Sequence, residues 1–250
     1  MPLLTTGEDL QVHNTGSHYG YSGERLDNLG ATEYTLVTIV QDQSPSVAGF
    51  KPEMEKTLAE IVKACKYSPR ADNLMLRLIL FADDFQEYHG FKLLENCNLD
   101  DYNDCLDCHG YTAAYDATNN AIGAMGDYAE KLTENDFISN GIVFIITDGL
   151  DNKSKIATPS SIKKTLINLV QAETLESLVT VLIGVNIVEP EVKRELEKFK
   201  EESGFTQFVT LDNANSNTLA KLAAFVSKSI SAQSQSLGTG GASVQTSLSI

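Results

Sequence analysis

Three oxygen-bearing side chains follow an apolar stretch near residue 40. Asp42, Ser44 and Ser46 occupy alternate positions after the β-branched run at 35–40, which is typical of a strand buried on both faces. Hydroxyl and carboxylate oxygens that converge on a sharp turn suit a small hard cation such as Mg²⁺. Aspartate and serine are also ordinary turn residues, so these positions alone leave a metal site and a simple turn equally open.

Two later polar residues favour the metal site. Asp148 follows a second apolar run at 142–146, and Thr112 directly precedes a long helical pattern. In an open parallel sheet, ligands bind beyond the carboxyl ends of the strands, where the strand order reverses. If the strands at 35–42 and 142–147 are neighbours there, five side chains meet at one point. These are Asp42, Ser44, Ser46, Thr112 and Asp148.

This set of residues resembles the metal-ion-dependent adhesion site (MIDAS) of von Willebrand factor type A (VWA) domains, whose pattern is Asp-x-Ser-x-Ser, then Thr, then Asp. All five positions match in the family's chain order, and the resemblance covers about residues 33–230. One position departs from the pattern, because Pro45 stands where the family most often has glycine. Proline fixes φ and lacks an amide donor, so we expect the oxygen ligands to be kept and the loop to rearrange less on ligand binding.

The resemblance implies a divalent-cation site that recognises another protein. The expected cation is Mg²⁺, with Mn²⁺ or Ca²⁺ as alternatives. Ser44, Ser46 and Thr112 would ligate it directly, and Asp42 and Asp148 directly or through water. An Asp or Glu of the partner would fill a remaining position.

Intracellular bacterial members of the family imply an adaptor that works with an AAA+ ATPase or a stress-response system. The alternative is a structural subunit of a phage or multi-protein assembly that contacts its neighbours through terminal arms. Catalysis is not expected. Metal-assisted hydrolysis needs an activated water and a general base, and of the four histidines only His109 lies close to the motif in sequence.

A second group of metal-ligand residue types lies just upstream of Thr112, and comprises Cys97, Cys105, Cys108 and His109. A Cys₃His zinc site has suitable ligand types, although structural sites usually draw ligands from two separated pairs. Cys-x-x-Cys-His is also the attachment signature of c-type haem, but that interpretation requires export, which nothing in the sequence supports. We expect no haem, and we favour reduced thiols, or a disulfide under oxidation, over zinc.

Strand and helix patterns alternate along the chain. The strand patterns lie at 35–42, 75–81, 85–94, 142–147, 178–185 and 207–211. The helical patterns lie at 52–66, 112–132, 158–175, 190–203 and 215–231. This alternation predicts an α/β fold with a doubly wound, mostly parallel, Rossmann-like sheet and helices on both faces. The strand at 85–94 is expected to be its one antiparallel edge strand.

The chain is strongly acidic, with a formal charge of −15 over 250 residues. It therefore lacks the electrostatic footprint of a nucleic-acid-binding protein. Four lysines form a local basic group that is most often a solvated surface: Lys153, Lys155, Lys163 and Lys164. No apolar run is long enough to span a bilayer, and the first residues do not resemble a signal peptide. We therefore expect a cytoplasmic protein that binds neither nucleic acid nor membrane.

The composition divides the chain into three segments. Residues 1–32 are polar, without strand or helix periodicity, and predict an irregular N-terminal arm. Residues 33–231 contain the alternating elements and predict one VWA domain, whose length and 42% hydrophobic content suffice for a single core. Residues 232–250 are rich in Ser, Gln and Gly and predict a flexible C-terminal tail.

Overall fold

The computed structural model describes residues 10–14, 20–211 and 215–239. Its strands form one eight-stranded sheet in the order β1-β2-β5-β4-β3-β6-β7-β8. The strands are β1 Leu10–Asn14, β2 Gly20–Glu24, β3 Glu33–Asp42, β4 Leu74–Phe81, β5 Phe85–Leu93, β6 Ile138–Thr147, β7 Leu178–Val185 and β8 Gln207–Leu211.

Most of the sheet is parallel, as predicted. Strand β3 pairs in parallel with β4 on one side and with β6 on the other, and β6, β7 and β8 continue in the same direction. Strand β5 runs antiparallel to β4, but it is not the edge strand that was expected, because β2 and β1 lie beyond it. The strands read as continuous apolar runs because both faces of the sheet are covered.

The helices lie on the two faces of this sheet. They are α1 Lys51–Lys66, α2 Ala114–Thr133, α3 Pro159–Ala172, α4 Pro190–Ser203 and α5 Ser216–Thr239. Helices α1 and α5 pack on one face, against side chains such as Val37 and Ile39. Helices α2, α3 and α4 pack on the other face, against side chains such as Leu36 and Val40. Strand β3 therefore supplies alternate residues to two separate cores.

Local sequence explains where several helices begin and end. Helix α3 begins at a capping box in which Thr158 accepts from the Ser161 amide, and Pro159 occupies its first turn. Helix α4 ends at Gly204, whose φ of +71° lies in the left-handed region that favours glycine. The predicted fold class, a mostly parallel α/β sheet with an antiparallel edge, is confirmed.

The described part of the segment 1–32 corrects the prediction of an irregular arm. Strands β1 and β2 form an antiparallel hairpin, and β2 meets β5 in parallel at Gly23 and Phe91. Hydrophobic periodicity could not reveal β2 because its buried residues include Ser22 and Glu24. Ser22 has a polar partner in the interior, because its amide donates to the carboxylate of Glu87 at 2.9 Å.

The C-terminal helix also differs from the prediction. Helix α5 continues to Thr239, so its last turns lie in the segment that was expected to be a flexible tail. The rest of that segment, 240–250, lies outside the described residues, as does the start of the N-terminal arm at 1–9. Within the described helices, none combines the length and apolar character needed to cross a membrane.

Candidate metal centre

The predicted site lies where the order of the parallel strands reverses. Strand β4, which follows β3 in the chain, lies on one side of β3, and β6, which comes later in the chain, lies on the other side. Strands β3 and β6 are hydrogen-bonded neighbours along nearly their whole length, which is the condition under which the predicted ligands meet. Asp42 is the last residue of β3, and Asp148 directly follows the end of β6. Loops that follow such strand ends form the ligand crevice of open α/β sheets.

Asp42 is fully buried, and both of its carboxylate oxygens accept hydrogen bonds. Its Oδ1 accepts from the Ser44 amide at 2.7 Å, and its Oδ2 accepts from the Thr147 hydroxyl at 2.6 Å. Burial, together with the nearby charge of Asp148, raises the pKa of Asp42 to about 6, even though the bonds from Thr147 and Ser44 act in the opposite direction. The site therefore holds a carboxylate whose negative charge is poorly compensated by its surroundings.

Two serine hydroxyls connect this buried end of the site to solvent. The Oγ atoms of Ser44 and Ser46 lie 3.0 Å apart, and Ser46 Oγ donates to Asp148 Oδ1 at 3.0 Å. Ser44 is buried, whereas Ser46 is exposed. Burial raises the pKa of Asp148, and the bond from Ser46 opposes this shift. Four of the five predicted ligands are thus brought together at the adjoining ends of β3 and β6.

The spacing of these oxygens fits Mg²⁺. With Mg²⁺–oxygen distances of about 2.1 Å, neighbouring ligands of an octahedron lie about 3.0 Å apart. The contacts of Ser46 with Ser44 and with Asp148 both have this length, which is also that of a hydrogen bond between two oxygens. The set contains only hard oxygen donors, and it includes just two carboxylates. No group of three His, Cys, Asp or Glu side chains suited to a metal occurs anywhere in the described residues, so a cation here would depend on the hydroxyls.

The fifth predicted ligand, Thr112, lies on the loop that leads into α2. Its side chain is buried, and its main chain is fixed in both directions by Asn152. The Thr112 amide donates to Asn152 Oδ1 at 2.9 Å, while the Thr112 carbonyl accepts from the amides of Asn152 and Lys153 at 2.9 and 3.1 Å. The loop of Thr112 is therefore fastened to the loop that follows Asp148.

Several residues that support the site were missed by sequence reasoning. Gln43 accepts from the Asp107 amide through Oε1 and from the His109 amide through its carbonyl, both at 3.1 Å. It thereby holds the loop before Thr112 against the end of β3. Thr147 fixes Asp42 from the neighbouring strand. Thr147 could have been found from the sequence, because it is a hydroxyl residue at a strand end next to Asp148. Gln43 and Asn152 form hydrogen bonds with the backbone of distant residues, and such contacts leave no sequence pattern.

A buried aspartate of α2 organises the loop 149–157. Asp116 accepts from the amides of Lys155, Ile156 and Ala157 at 2.9, 3.1 and 2.7 Å. Three amide donors are a favourable environment for an ionised carboxylate. This arrangement attaches the loop to the first turn of α2, close to Thr112.

The group of Cys97, Cys105, Cys108 and His109 does not form a ligand set in the structure. All four cysteines of the chain are free thiols. Cys97 is buried beside Cys65 and Tyr102, and the ring of His109 is exposed, with its Nδ1 2.5 Å from the Asp107 carbonyl oxygen. Burial raises the pKa of Cys105 to about 12 and raises that of Cys108. The proximity that a Cys₃His site requires is absent from these described residues.

The chain shares its fold with several solved structures. No family model matches it, and no curated protein sequence matches it. Proximal thread matrix protein 1 (PTMP1) from the mussel byssus is 21% identical, with a TM-score of 0.51 over 78% of this chain and 45% of its own. The PilB minor pilin from Streptococcus sanguinis is 15% identical, with a TM-score of 0.57 over 87% of this chain and 66% of its own.

The pilus adhesin SpaC from Lactobacillus rhamnosus GG is 9% identical, with a TM-score of 0.53 over 88% of this chain and 34% of its own. This chain therefore spans between about a third and two thirds of the length of these proteins. At such identities the comparisons show the fold alone, a mixed α/β domain with a central sheet.

Proposed function

We propose that this chain is a VWA domain that binds a divalent cation at a MIDAS and, through it, a carboxylate of a partner protein. The observation that carries the proposal is the hydrogen-bonded series from Asp42 through Ser44 and Ser46 to Asp148 at the reversal point of the sheet. Its 3.0 Å oxygen spacings match the edge of an Mg²⁺ octahedron.

The residues of the site have different roles in this proposal. Ser44 and Ser46 offer hydroxyl oxygens, and Asp148 offers a carboxylate at the solvent side. Asp42 has both oxygens engaged by Ser44 and Thr147, so it supplies negative charge and holds the turn in place. A bound cation adds one chemical property, a Lewis-acid position that accepts a carboxylate from another molecule.

Binding rather than catalysis is proposed because no described histidine is placed as a general base. The ring of His109 faces the Asp107 carbonyl. His89 is buried, with hydrogen-bond contacts to the Gly90 carbonyl and the Tyr102 hydroxyl, and His13 lies against the ring of Tyr21. The partner that we propose is a protein with an accessible Asp or Glu, in the setting of an AAA+ ATPase or a stress-response system.

Titration calorimetry with MgCl₂ tests the proposal. We expect the wild-type protein to bind one Mg²⁺ and Asp148→Asn to lower the affinity at least tenfold. Asp84→Asn is the matched control, because Asp84 is an exposed aspartate of the β4–β5 turn with no proposed role. Equal Mg²⁺ affinity in the wild type and in Asp148→Asn would contradict the proposal, and circular dichroism of each variant verifies the fold.

A second candidate function is a structural subunit of an assembly. Strand β1 is an edge of the described sheet, and its Val12 is 44% exposed, so a neighbouring copy could add a strand there. The names of the structural neighbours, a minor pilin and a thread matrix protein, favour the same idea. Light scattering during size exclusion distinguishes the two: an assembly subunit forms oligomers that Val12→Lys disrupts, whereas an adaptor remains monomeric.

A further inference from the structure

An exposed aromatic and basic surface adjoins the candidate metal centre. Tyr111 is 56% exposed and Ile156 is 53% exposed, and the Lys153 ammonium lies 4.5 Å from the centre of the Tyr111 ring. A lysine at this distance is attracted by the ring's π electrons. Lys155 is also exposed. We call Tyr111, Lys153, Lys155 and Ile156 the Tyr111–Lys153 surface.

The backbone of this surface is anchored to the same groups that position the site. Tyr111 directly precedes Thr112, whose carbonyl accepts from the Lys153 amide at 3.1 Å. The amides of Lys155 and Ile156 donate to the buried carboxylate of Asp116. The surface is therefore ordered before any partner arrives, which lowers the entropy cost of binding there.

Charge is distributed unevenly around the centre. Exposed aspartates lie after β4 and in the loop before Thr112, at Asp83, Asp84 and Asp107. Lys153 and Lys155 lie in the loop that follows β6. In a chain with a net charge of −15, an acidic partner is repelled from most of the molecule. Lys153 and Lys155 offer it a local approach of opposite charge.

We infer that the Tyr111–Lys153 surface binds an acidic peptide segment of the partner, as a second contact beside the carboxylate that reaches the cation. This inference rests on the proposed function and adds the chemistry of the partner to it. One carboxylate of the segment would lie at the metal centre, and a neighbouring carboxylate would pair with Lys153. Apolar parts of the segment would cover Tyr111 and Ile156.

Fluorescence anisotropy with two labelled peptides tests this inference at a constant millimolar Mg²⁺ concentration. One peptide carries six consecutive glutamates, and the other carries a single glutamate between glycines and serines. We expect the wild-type protein to bind the hexaglutamate peptide at least tenfold more tightly. Lys153→Glu should remove most of that preference. Lys228→Glu makes the same charge change at an exposed position of α5 and should change the preference less than twofold.

The outcomes separate this inference from the proposed function. Equal losses in Lys153→Glu and Lys228→Glu would overturn the inference, because only net charge would then matter. Equal affinity of the wild type for the two peptides, or binding of Mg²⁺ without binding of either peptide, would also overturn it. Hexaglutamate binding that persists in EDTA but requires Lys153 would support the surface while contradicting the metal anchor.

Discussion

Individual residues of the site carry charge that the fold stabilises poorly. The carboxylate of Asp42 is buried, and its pKa is raised to about 6 from an ordinary value near 4. A group with a raised pKa binds more protons in the folded than in the unfolded protein. Its ionisation therefore reduces stability as the pH rises from about 4 to about 6, and the cost remains at neutral pH. The buried charge of Asp42 therefore destabilises the metal-free protein, and a bound cation would reduce that cost.

We predict that Asp42→Asn has opposite effects on the metal-free and metal-loaded proteins. The amide keeps the size of the side chain and removes the buried charge, so the free energy of unfolding in EDTA should rise by about 1 kcal/mol at pH 7. We expect millimolar Mg²⁺ to stabilise the wild type and to have little effect on the variant. Thermal unfolding with EDTA and with Mg²⁺ measures both effects. A variant that is less stable in EDTA and still stabilised by Mg²⁺ would contradict the assigned role.

A second residue-scale prediction concerns pH. Burial is the main cause that lowers the pKa of His89 to about 3, so in the folded protein this ring stays neutral where an unfolded histidine is charged. The unfolded state binds more protons between pH 6.5 and about 3, and stability therefore falls as the pH drops through this range. Between pH 7 and pH 5 the contribution of His89 is about 2 kcal/mol.

Replacement of His89 tests this prediction. In His89→Gln the loss of stability between pH 7 and pH 5 should be smaller than in the wild type by about 2 kcal/mol, because the remaining acidic groups titrate alike in both proteins. Urea unfolding at the two pH values measures the difference. Identical pH dependence in both proteins would show that His89 does not resist protonation in the fold.

At the scale of elements, hydrophobic patterns in the sequence predicted the strands and helices whose buried side chains are mostly apolar. Strands β3 and β6 are apolar runs that end on polar residues, and this pattern located Asp42 and Asp148 at the same edge of the sheet. Strand β2 was missed because its buried side chains include the polar Ser22 and Glu24. Asn152 and Asp116 were missed for a related reason: each bonds to backbone groups about 40 positions away, and such pairings leave no periodic signal.

The loop 149–157 supplies a prediction at this scale. Asp116 holds three consecutive amides of the loop, so Asp116→Ala should destabilise the protein by about 2–3 kcal/mol. It should also speed hydrogen exchange at Lys155, Ile156 and Ala157 more than elsewhere. Asp127→Ala changes an aspartate of the same helix without these contacts and serves as control. Uniform acceleration of exchange over the whole chain would contradict a local role for Asp116.

At the scale of the whole molecule, a buried ion pair joins the N-terminal hairpin to the central sheet. Arg77 Nε donates to Glu87 Oε2 at 2.6 Å, and both side chains are at least 98% buried. Glu87 Oε1 accepts from the Ser22 amide in β2, and the Arg77 guanidinium also donates to Asn120 Oδ1 in α2 at 3.1 Å. Four elements therefore meet at one pair of charges.

We predict that removing one charge of this pair is far more harmful than removing both. Glu87→Leu leaves Arg77 buried without its counter-ion and should cost about 3–5 kcal/mol, and it should make residues 10–24 the first segment cleaved by protease. The double variant Arg77→Met with Glu87→Leu should recover much of the loss. Urea unfolding and limited proteolysis provide the measurements. A double variant no more stable than the single one would show that the ionic contacts themselves stabilise the fold.

The strand order also determines when the candidate metal centre can form during synthesis of the chain. Asp42 is synthesised before Thr147 and Asp148, which complete its surroundings and follow 105 and 106 positions later. At ribosomal rates of about 5–20 residues per second, Thr147 and Asp148 are therefore added on the order of ten seconds after Asp42. Until β6 emerges, β3 has a neighbour on one side only. A cation held by both strand ends would therefore bind only after the centre of the sheet is closed, so its capture would mark the moment when a nascent chain becomes competent to meet a partner.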